Sequence, residues 1–459
     1  MNGTRTRRGY RAAAAAGAGL ALLLAGCSGG DGDGGGGDEG TGEATADCAD
    51  FEQYGDLTGK TISIYAGIVT PEDQPYVESF APFEECTGAT VDYQADKQFE
   101  QQILVRAEAG NPPDIAIVPQ PGLLAQLVAT GTVVPAPEGV SANVDEFWDE
   151  AWKEYGSVDG TFYAAPSGAS VKSLVWYSPA QFEENGWEIP TTLDDLAALS
   201  DSIVDTGIKP WCAGIASGEA TGWPVTDWME DMMLRVAGPE AFDQWVSHEI
   251  PFNSEDPTAA LDAVGDYLKN DAYVNGGFGD VTSIASTAFQ DGGLPILDGQ
   301  CALHRMASFY AANWPEGTTV AEDGDVFAFY LPAESEDERP VLGAGEFVTA
   351  FSDRPEVQAL QEFWSSAEWA NLKAKSSSDL TGGGWLTANK GLDKENLVNP
   401  IDILSADILL DPDAVFRFDG SDRMPAAANS AFWKEATAWI TGQPTIETLN
   451  KIEAAWPAS

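Results

Sequence analysis

The residues from Ile215 to Asp231 read Ile-Ala-Ser-Gly-Glu-Ala-Thr-Gly-Trp-Pro-Val-Thr-Asp-Trp-Met-Glu-Asp, a set of side chains suited to holding a polyhydroxylated ligand. An indole offers a flat apolar face to pyranose C–H groups, and a carboxylate accepts hydrogen bonds from neighbouring hydroxyls. Trp223 is the stacking candidate, with Glu219 and Thr221 as polar partners on the same loop. Asp227 either bonds a hydroxyl or caps the helix that carries Trp228. The apolar run Trp211 to Ile215 enters this stretch, and Trp228, Met229, Met232, Met233 and Val236 leave it at helical spacing. That is a strand, a loop and a helix in succession. A tryptophan at helical spacing is also what a packed core uses, so the rest of the chain has to decide.

Other candidates are scattered. Gly67 and Gln120 fall at the ends of two expected strands, and an amide both donates and accepts as a sugar hydroxyl requires. Lys172 lies in an extended stretch, where its ammonium reaches either a hydroxyl or a buried acid. His304 and Arg305 are successive residues of an expected strand, so one faces the ligand side and the other is structural. Glu346 follows Gly343 and Gly345, Trp385 follows three glycines that allow close backbone approach, and Arg423 sits in a polar pair with Asp422.

The elements that must position these residues alternate along the chain. Thr61 to Ala66 reads as a buried strand, followed by Thr70-Pro71-Glu72-Asp73 as a helix start and Gly88 as its stop. Thr90 to Gln94 and Asp114 to Val118 are further strands, separated by a helix with Phe99, Ile103 and Ala107 on one face. Thr161 to Pro166 and Val171 to Tyr177 are extended, and Val326 to Leu331 and Val341 to Ala350 are strand-like. Helical patterns run over Glu362 to Lys373 and Ala426 to Trp439. Strands alternating with helices predict a mostly parallel α/β sheet, whose ligands bind beyond the strands' carboxyl ends.

At 459 residues the chain exceeds what one core serves, so two lobes are expected. Residues 1–26 hold four arginines and no acid, leaving 19 basic against 73 acidic residues and a charge of −54 over the remainder. Such a surface repels nucleic acid and anionic lipid headgroups. Arg5, Arg7, Arg8 and Arg11, an Ala/Leu run and Leu24-Ala25-Gly26-Cys27 form a secretory signal in which Cys27 takes lipid. Residues 27–57 read as an acidic, Gly-rich tether. Cys48, Cys86, Cys212 and Cys301 remain for an oxidising compartment. Three pairings are open, of which Cys48–Cys86 with Cys212–Cys301 is preferred. No metal-ligand spacing stands out, and the only histidines are His248 and His304.

A lipoprotein signal, a βαβα opening and Asn111-Pro112-Pro113-Asp114-Ile115-Ala116 before Gly122-Leu123-Leu124 resemble the solute-binding lipoproteins of carbohydrate ABC importers, relatives of maltose-binding protein. Three further stretches resemble the family's α-glucoside-binding branch: Trp211-Cys212-Ala213-Gly214-Ile215, Thr221-Gly222-Trp223-Pro224 with Thr226 to Asp231, and Cys301-Ala302-Leu303-His304-Arg305. The likeness runs from Lys60 onward. It implies an α/β, two-lobed, periplasmic-binding-protein-like fold with discontinuous lobes joined by hinge segments, crossing near Tyr163–Ala169, Pro340–Gly345 and Ser376–Gly384. The first lobe is then 58–165 with 345–375, and the second 170–340 with 385–459. Relatives place polar contacts on the loop of Glu219 and Thr221, and an aromatic at the position of Trp433. The implied protein is not an enzyme and has no cofactor. It captures an α-glucoside of maltose, trehalose or sucrose type between its lobes, delivers it to membrane permease subunits, and is a monomer anchored by Cys27 to the outer face of the bacterial cell membrane.

Two other readings compete. A surface-anchored glycoside hydrolase needs two carboxylates across a scissile bond, but no Ser-His-Asp arrangement, metal cluster or phosphate loop accompanies them here. A non-sugar cargo, if anionic, calls for clustered cations, and only Lys172, Arg305 and Arg423 are candidates.

Overall fold

The computed structural model describes residues 48–275 and 280–457. The signal segment, Cys27 and the tether up to residue 47 lie outside the described residues. Among the described residues there are thirteen strands: β1 (Thr61–Ala66), β2 (Thr90–Ala95), β3 (Ile115–Val118), β4 (Ser157–Val158), β5 (Thr161–Phe162), β6 (Ala164–Val171), β7 (Leu174–Tyr177), β8 (Lys209–Cys212), β9 (Val274–Asn275), β10 (Cys301–Arg305), β11 (Phe327–Tyr330), β12 (Pro340–Ala350) and β13 (Val415–Phe418). Among the described residues no helix is long and apolar enough to cross a membrane.

Two sheets organise the fold. The first runs β13-β12-β3-β1-β2, with β6 also paired to β12. β1 lies parallel to β2 and to β3, so Ile62, Ile64, Ile115 and Ile117 are sealed between layers of helices. Strands buried on both faces need such apolar runs, each side chain contributing about 1.5–3 kcal/mol. The second sheet runs β11-β7-β10-β8-β9, with β8 parallel to β10 and β7 antiparallel to both β10 and β11. One of its faces carries the helices Leu193–Asp205, Trp223–Met232, Glu255–Leu268 and Ala426–Ile440 around Trp211, Trp245 and Trp439. Cys48 is bridged to Cys86 (Cα–Cα 5.2 Å) and Cys212 to Cys301 (5.6 Å), the second bridge tying β8 to its neighbour β10.

The chain passes between the sheets three times. Lys172 and Ser173 join β6 to β7, residues 331–339 join β11 to β12, and residues 419–425 lead from β13 into the helix Ala426–Ile440. The first two passages adjoin the stretches expected from sequence. The third does not fall at Ser376–Gly384. Those residues end the helix Ala367–Thr381, and Gly382, Gly383 and Gly384 take left-handed φ values of 75°, 104° and 95°. The glycines turn the chain back along β6, where Ala169 N–H donates to Leu386 O at 2.8 Å and the Thr387 hydroxyl to Ser167 O at 2.7 Å. A glycine run supplies tight turns as readily as hinges, and here it turns the chain back where the resemblance implied a crossing. Residues 385–418 accordingly pack with the first sheet through Trp385, Leu386, Leu397, Ile401 and Phe418.

Candidate ligand cleft

The helix Trp223–Met232 positions most of the site. Gly222 caps it at φ 112°, a conformation that disfavours a side chain, and any Cβ there would collide with the Trp433 carbonyl. Val225, Trp228, Met229 and Met232 turn into the core, where Trp228 stacks on Tyr267 at 5.6 Å. One helical turn apart, Trp223, Asp227 and Glu230 with Asp231 share another stripe. Trp223 therefore stands at the open end of a buried acidic face.

Two rings from other loops join it. Phe289 meets Trp223 edge-on, with centroids 5.0 Å apart and planes at 69°, and Phe309 lies 6.1 Å away. Trp223 and Phe289 are half-buried and Phe309 is 44% exposed, so the trio presents apolar surface outward. Phe289 N–H donates to Ala216 O at 3.1 Å, which ties its loop to the one before Trp223. Tyr310 secures the other loop, donating to Gln290 O at 2.7 Å and accepting from Gly293 N–H at 2.9 Å.

Beneath the trio lies a buried charge network. Lys172 Nζ stands 5.9 Å from the Trp223 ring centroid, donates to Asp227 at 3.1 Å and pairs with Asp419. Arg305 reaches Asp227 at 3.3 Å and also pairs with Asp231, which accepts from Arg235 at 2.7 Å and from the Ser173 hydroxyl at 2.6 Å. Glu230 accepts from the N–H groups of Gly420 and Ser421 at 2.7 and 3.1 Å. Arg235 also donates to the carbonyls of Leu331, Pro332 and Pro340. The helix face and the turn Met233–Ala237 that continues it thus grip all three passages between the sheets. Burial pushes Lys172 down, but Asp227 and Asp419 more than reverse it, so its pKa is well above the ordinary value and the ammonium stays charged. Burial, with Asp419 and Asp227 nearby, holds Glu230 well above the usual carboxylate range.

The residues singled out from sequence divide accordingly. Trp223, Lys172, Asp227 and Arg305 come together, but Asp227 and Arg305 are sealed behind the rings and spend their charges on each other and on Lys172 and Asp231. His304 is buried too. Its Nδ1 lies 3.0 Å from Cys212 O and its ring 4.7 Å from Tyr310, and burial holds its pKa down to about 4, leaving a neutral brace for the aromatic loops. Neither residue of the His304–Arg305 pair reaches the surface. Thr221 is consumed locally, its hydroxyl accepting from Ser217 N–H at 3.0 Å and donating to Gly218 O at 2.7 Å, whereas Glu219 is exposed on the same loop. Trp433 backs that loop from the helix Ala426–Ile440.

Gly67 is exposed beside Phe99, and Gln120 donates to Glu100 at 3.3 Å at the start of the helix Pro121–Ala129. Gly122, in the first turn of that helix, packs against the Asp422 carbonyl with no space for a side chain, which brings the Gln120 end to the third passage. Arg423 turns elsewhere, over the Tyr155 ring at 5.0 Å, into a surface cavity of about 470 Å³ with Asp243 and Arg417. Glu346 and Trp385 meet in the first sheet's unit through Tyr76. Among the described residues no group of three or more His, Cys, Asp or Glu side chains is placed to hold a metal ion.

Sequence reading passed over Phe289, Phe309, Asp419 and Tyr76. Phe289 had a signal, an aromatic just before Asp291-Gly292-Gly293 loop chemistry. Asp419 had none, because one aspartate among 73 acids gains meaning only from the lysine it meets.

Residues 66–371 match the family described as bacterial extracellular solute-binding protein. The chain is 39% identical over 424 residues to the alpha-glucosides-binding periplasmic protein AglE of Rhizobium meliloti (strain 1021), covering 90% of each. It is 37% identical over 408 residues to the osmoprotective compounds-binding protein GgtB of Synechocystis, covering 88% of this chain and 94% of that one. Among solved structures, the apo form of RafE from Streptococcus pneumoniae aligns with a TM-score of 0.69 at 15% identity, over 86% of this chain and 97% of that one. That likeness shows the two-lobed fold of the maltose-binding type. These relatives bind and do not catalyse.

Proposed function

We propose a cargo and a mode of capture for this chain, which belongs to the bacterial extracellular solute-binding protein family and serves as the substrate-binding component of an ABC importer. The cargo is an uncharged α-glucoside of disaccharide size, held in the cleft between the two lobes. The observation that carries this reading is the outward-facing trio of Trp223, Phe289 and Phe309 beside Lys172. Aromatic faces hold the apolar side of a sugar ring, and an ammonium at their rim donates to a hydroxyl. The name of AglE supports the α-glucoside class, and that of GgtB extends it to osmoprotective solutes. Lys172 and Arg305 are already paired with Asp227, Asp231 and Asp419, a balance that disfavours anionic cargo.

Capture works by population shift: a sugar touching both units favours their closed arrangement. The buried clasp of the helix Trp223–Met232 and its continuation through Arg235 on all three passages makes that motion pivot about one stretch of chain. Lipid at Cys27 and docking of the monomer on a permease complete the proposal.

Titration calorimetry with maltose, trehalose and sucrose tests it. At least one should bind and be recovered intact, and Trp223→Ala should weaken it roughly tenfold or more while shifting the thermal midpoint little, because the ring is half-open. Silence toward all three sugars discards the α-glucoside reading.

A further inference from the structure

Lys373, on the helix Ala367–Thr381, is 1% exposed. Its Nζ sits 4.2 Å from the Tyr76 ring centroid and 4.7 Å from that of Trp385. No carboxylate oxygen of a described residue lies within 4.0 Å of it, and it makes no hydrogen bond to a described residue. Two aromatic faces soften this burial, but an ammonium without a contacting counter-ion remains costly, burial lowers its pKa to about 7 against the pull of Glu346 and Glu72, and a methionine would fill the same space without that cost. Such an expense calls for a use.

The neighbouring acid is built as carefully. Glu346 lies where the β6–β12 register shifts, between Gly345 and Phe347, and such irregularities re-aim side chains. Its carboxylate accepts from the Tyr76 hydroxyl at 2.5 Å, and that hydroxyl accepts from Trp385 Nε1–H at 3.2 Å. Gly168 leaves the room: a Cβ there would meet Glu346 Oε2 at 2.8 Å and Trp385 Nε1 at 3.2 Å. Tyr93 stacks on Tyr76 at 6.0 Å and donates to Ile68 O at 3.3 Å, at the carboxyl end of β1, where ligands of α/β sheets bind. Glu346 and Tyr93 are half-buried, so the cluster has an open side, near Glu72. Tyr76 thus holds an ammonium on its face and a carboxylate at its hydroxyl, close enough to feel each other's charge but not in contact.

We propose that Lys373 and Glu346 form a second cargo contact, in the first sheet's unit, that grips a hydroxyl edge of the sugar, with the ammonium donating and the carboxylate accepting. This rests on the sugar reading above and adds specificity determinants to it. The Trp223 platform belongs to the second sheet's unit and this pair to the first, so a cargo that contacts both is one that favours closure. Tyr76 and Trp385 are positioning residues, since they fix Glu346 and Lys373 rather than the sugar.

The test is Lys373→Met, titrated calorimetrically with whichever of maltose, trehalose and sucrose the wild type binds, beside thermal melts. A charge-assisted hydrogen bond lost at a closed site should weaken binding roughly ten- to hundredfold, while the melting temperature holds or rises because the unpaired ammonium is gone. A purely structural lysine gives the opposite pattern, a lowered melting temperature with affinity unchanged in the folded fraction, and that result overturns the proposal. Glu346→Gln, which keeps the shape and the Tyr76 partner, should also lose affinity at least severalfold. Affinity within threefold of wild type in both variants overturns the inference alone. A wild type silent to all three sugars overturns the cargo reading and this inference with it.

Discussion

Lys172→Met removes the cation on which the clasp closes. Its ammonium contacts Asp227 and Asp419, which are 1% and 2% exposed. After the change Asp227 keeps Arg305 at 3.3 Å, and Asp419 keeps the Ser421 hydroxyl at 2.7 Å and Asp422 N–H at 3.1 Å. Hydrogen bonding therefore survives and charge balance does not. Removing one partner of a buried pair costs about 3–5 kcal/mol. With an unfolding entropy of about 2.1 cal/mol/K per residue over roughly 410 folded residues, the melting temperature should fall by about 3–6 °C. The loss should depend on pH. Lys172 has its pKa raised, so its contribution is fully present below the ordinary lysine value and constant between pH 5 and 8. Burial pushes Asp419 up, but Lys172 and the hydrogen bonds more than reverse this and hold it below the ordinary value, so it stabilises the wild type above that value and less as pH falls through the lowered one. In the variant the hydrogen bonds from Ser421 and Asp422 remain but the Lys172 charge no longer opposes burial, so Asp419 takes up a proton at higher pH than in the wild type and the deficit shrinks on acidification. Melts followed by circular dichroism at pH 8 and pH 5 should show the larger gap at pH 8. A gap below about 1 °C, or an equal gap at both values, would refute the account of a buried, mutually dependent network.

Two further perturbations test the supports around the site. Asp402 is buried and accepts from Gly384 N–H at 2.6 Å, and burial raises its pKa to about 6. A raised carboxyl pKa costs stability above the ordinary value, so Asp402→Asn should stabilise the protein at pH 8, by at most ~3 kcal/mol, and leave it unchanged near pH 4; melts at the two values check the sign. Removing Cys212–Cys301 should cost more than removing Cys48–Cys86, because the bridges span 89 and 38 residues. Chain entropy puts the difference at about 0.8 kcal/mol within losses of about 2–5 kcal/mol, and urea unfolding of the paired Cys→Ala variants measures it.

Much of the architecture was legible because it is local. Thr61 to Ala66, Thr90 to Gln94 and the residues before Val118 carry the apolar runs and bounding glycines of buried strands, and they form β1, β2 and β3 within a residue at either end. Trp211 to Met232 announced a strand, a loop and a helix by the switch from a continuous apolar run to helical spacing, and that is their order in the fold. The resemblance implied a crossing at Ser376–Gly384 that the local pattern could not test, since glycine marks unusual backbone without saying whether the chain turns back or moves on.

What the amino-acid order determined by itself was the set of elements and the concentration of indole, carboxylate and hydroxyl side chains in one loop. The tertiary structure alone decided which of them stay open. It brought Phe289 and Phe309 to Trp223 from distant parts of the chain, and it buried Asp227 and Arg305 against each other. The reason is physical: helical and strand periodicities relate neighbours a few residues apart, whereas a charge's role depends on whether an opposite charge or solvent meets it. An aspartate that braces a hinge and one that reads a hydroxyl are the same letter until the fold supplies the partner.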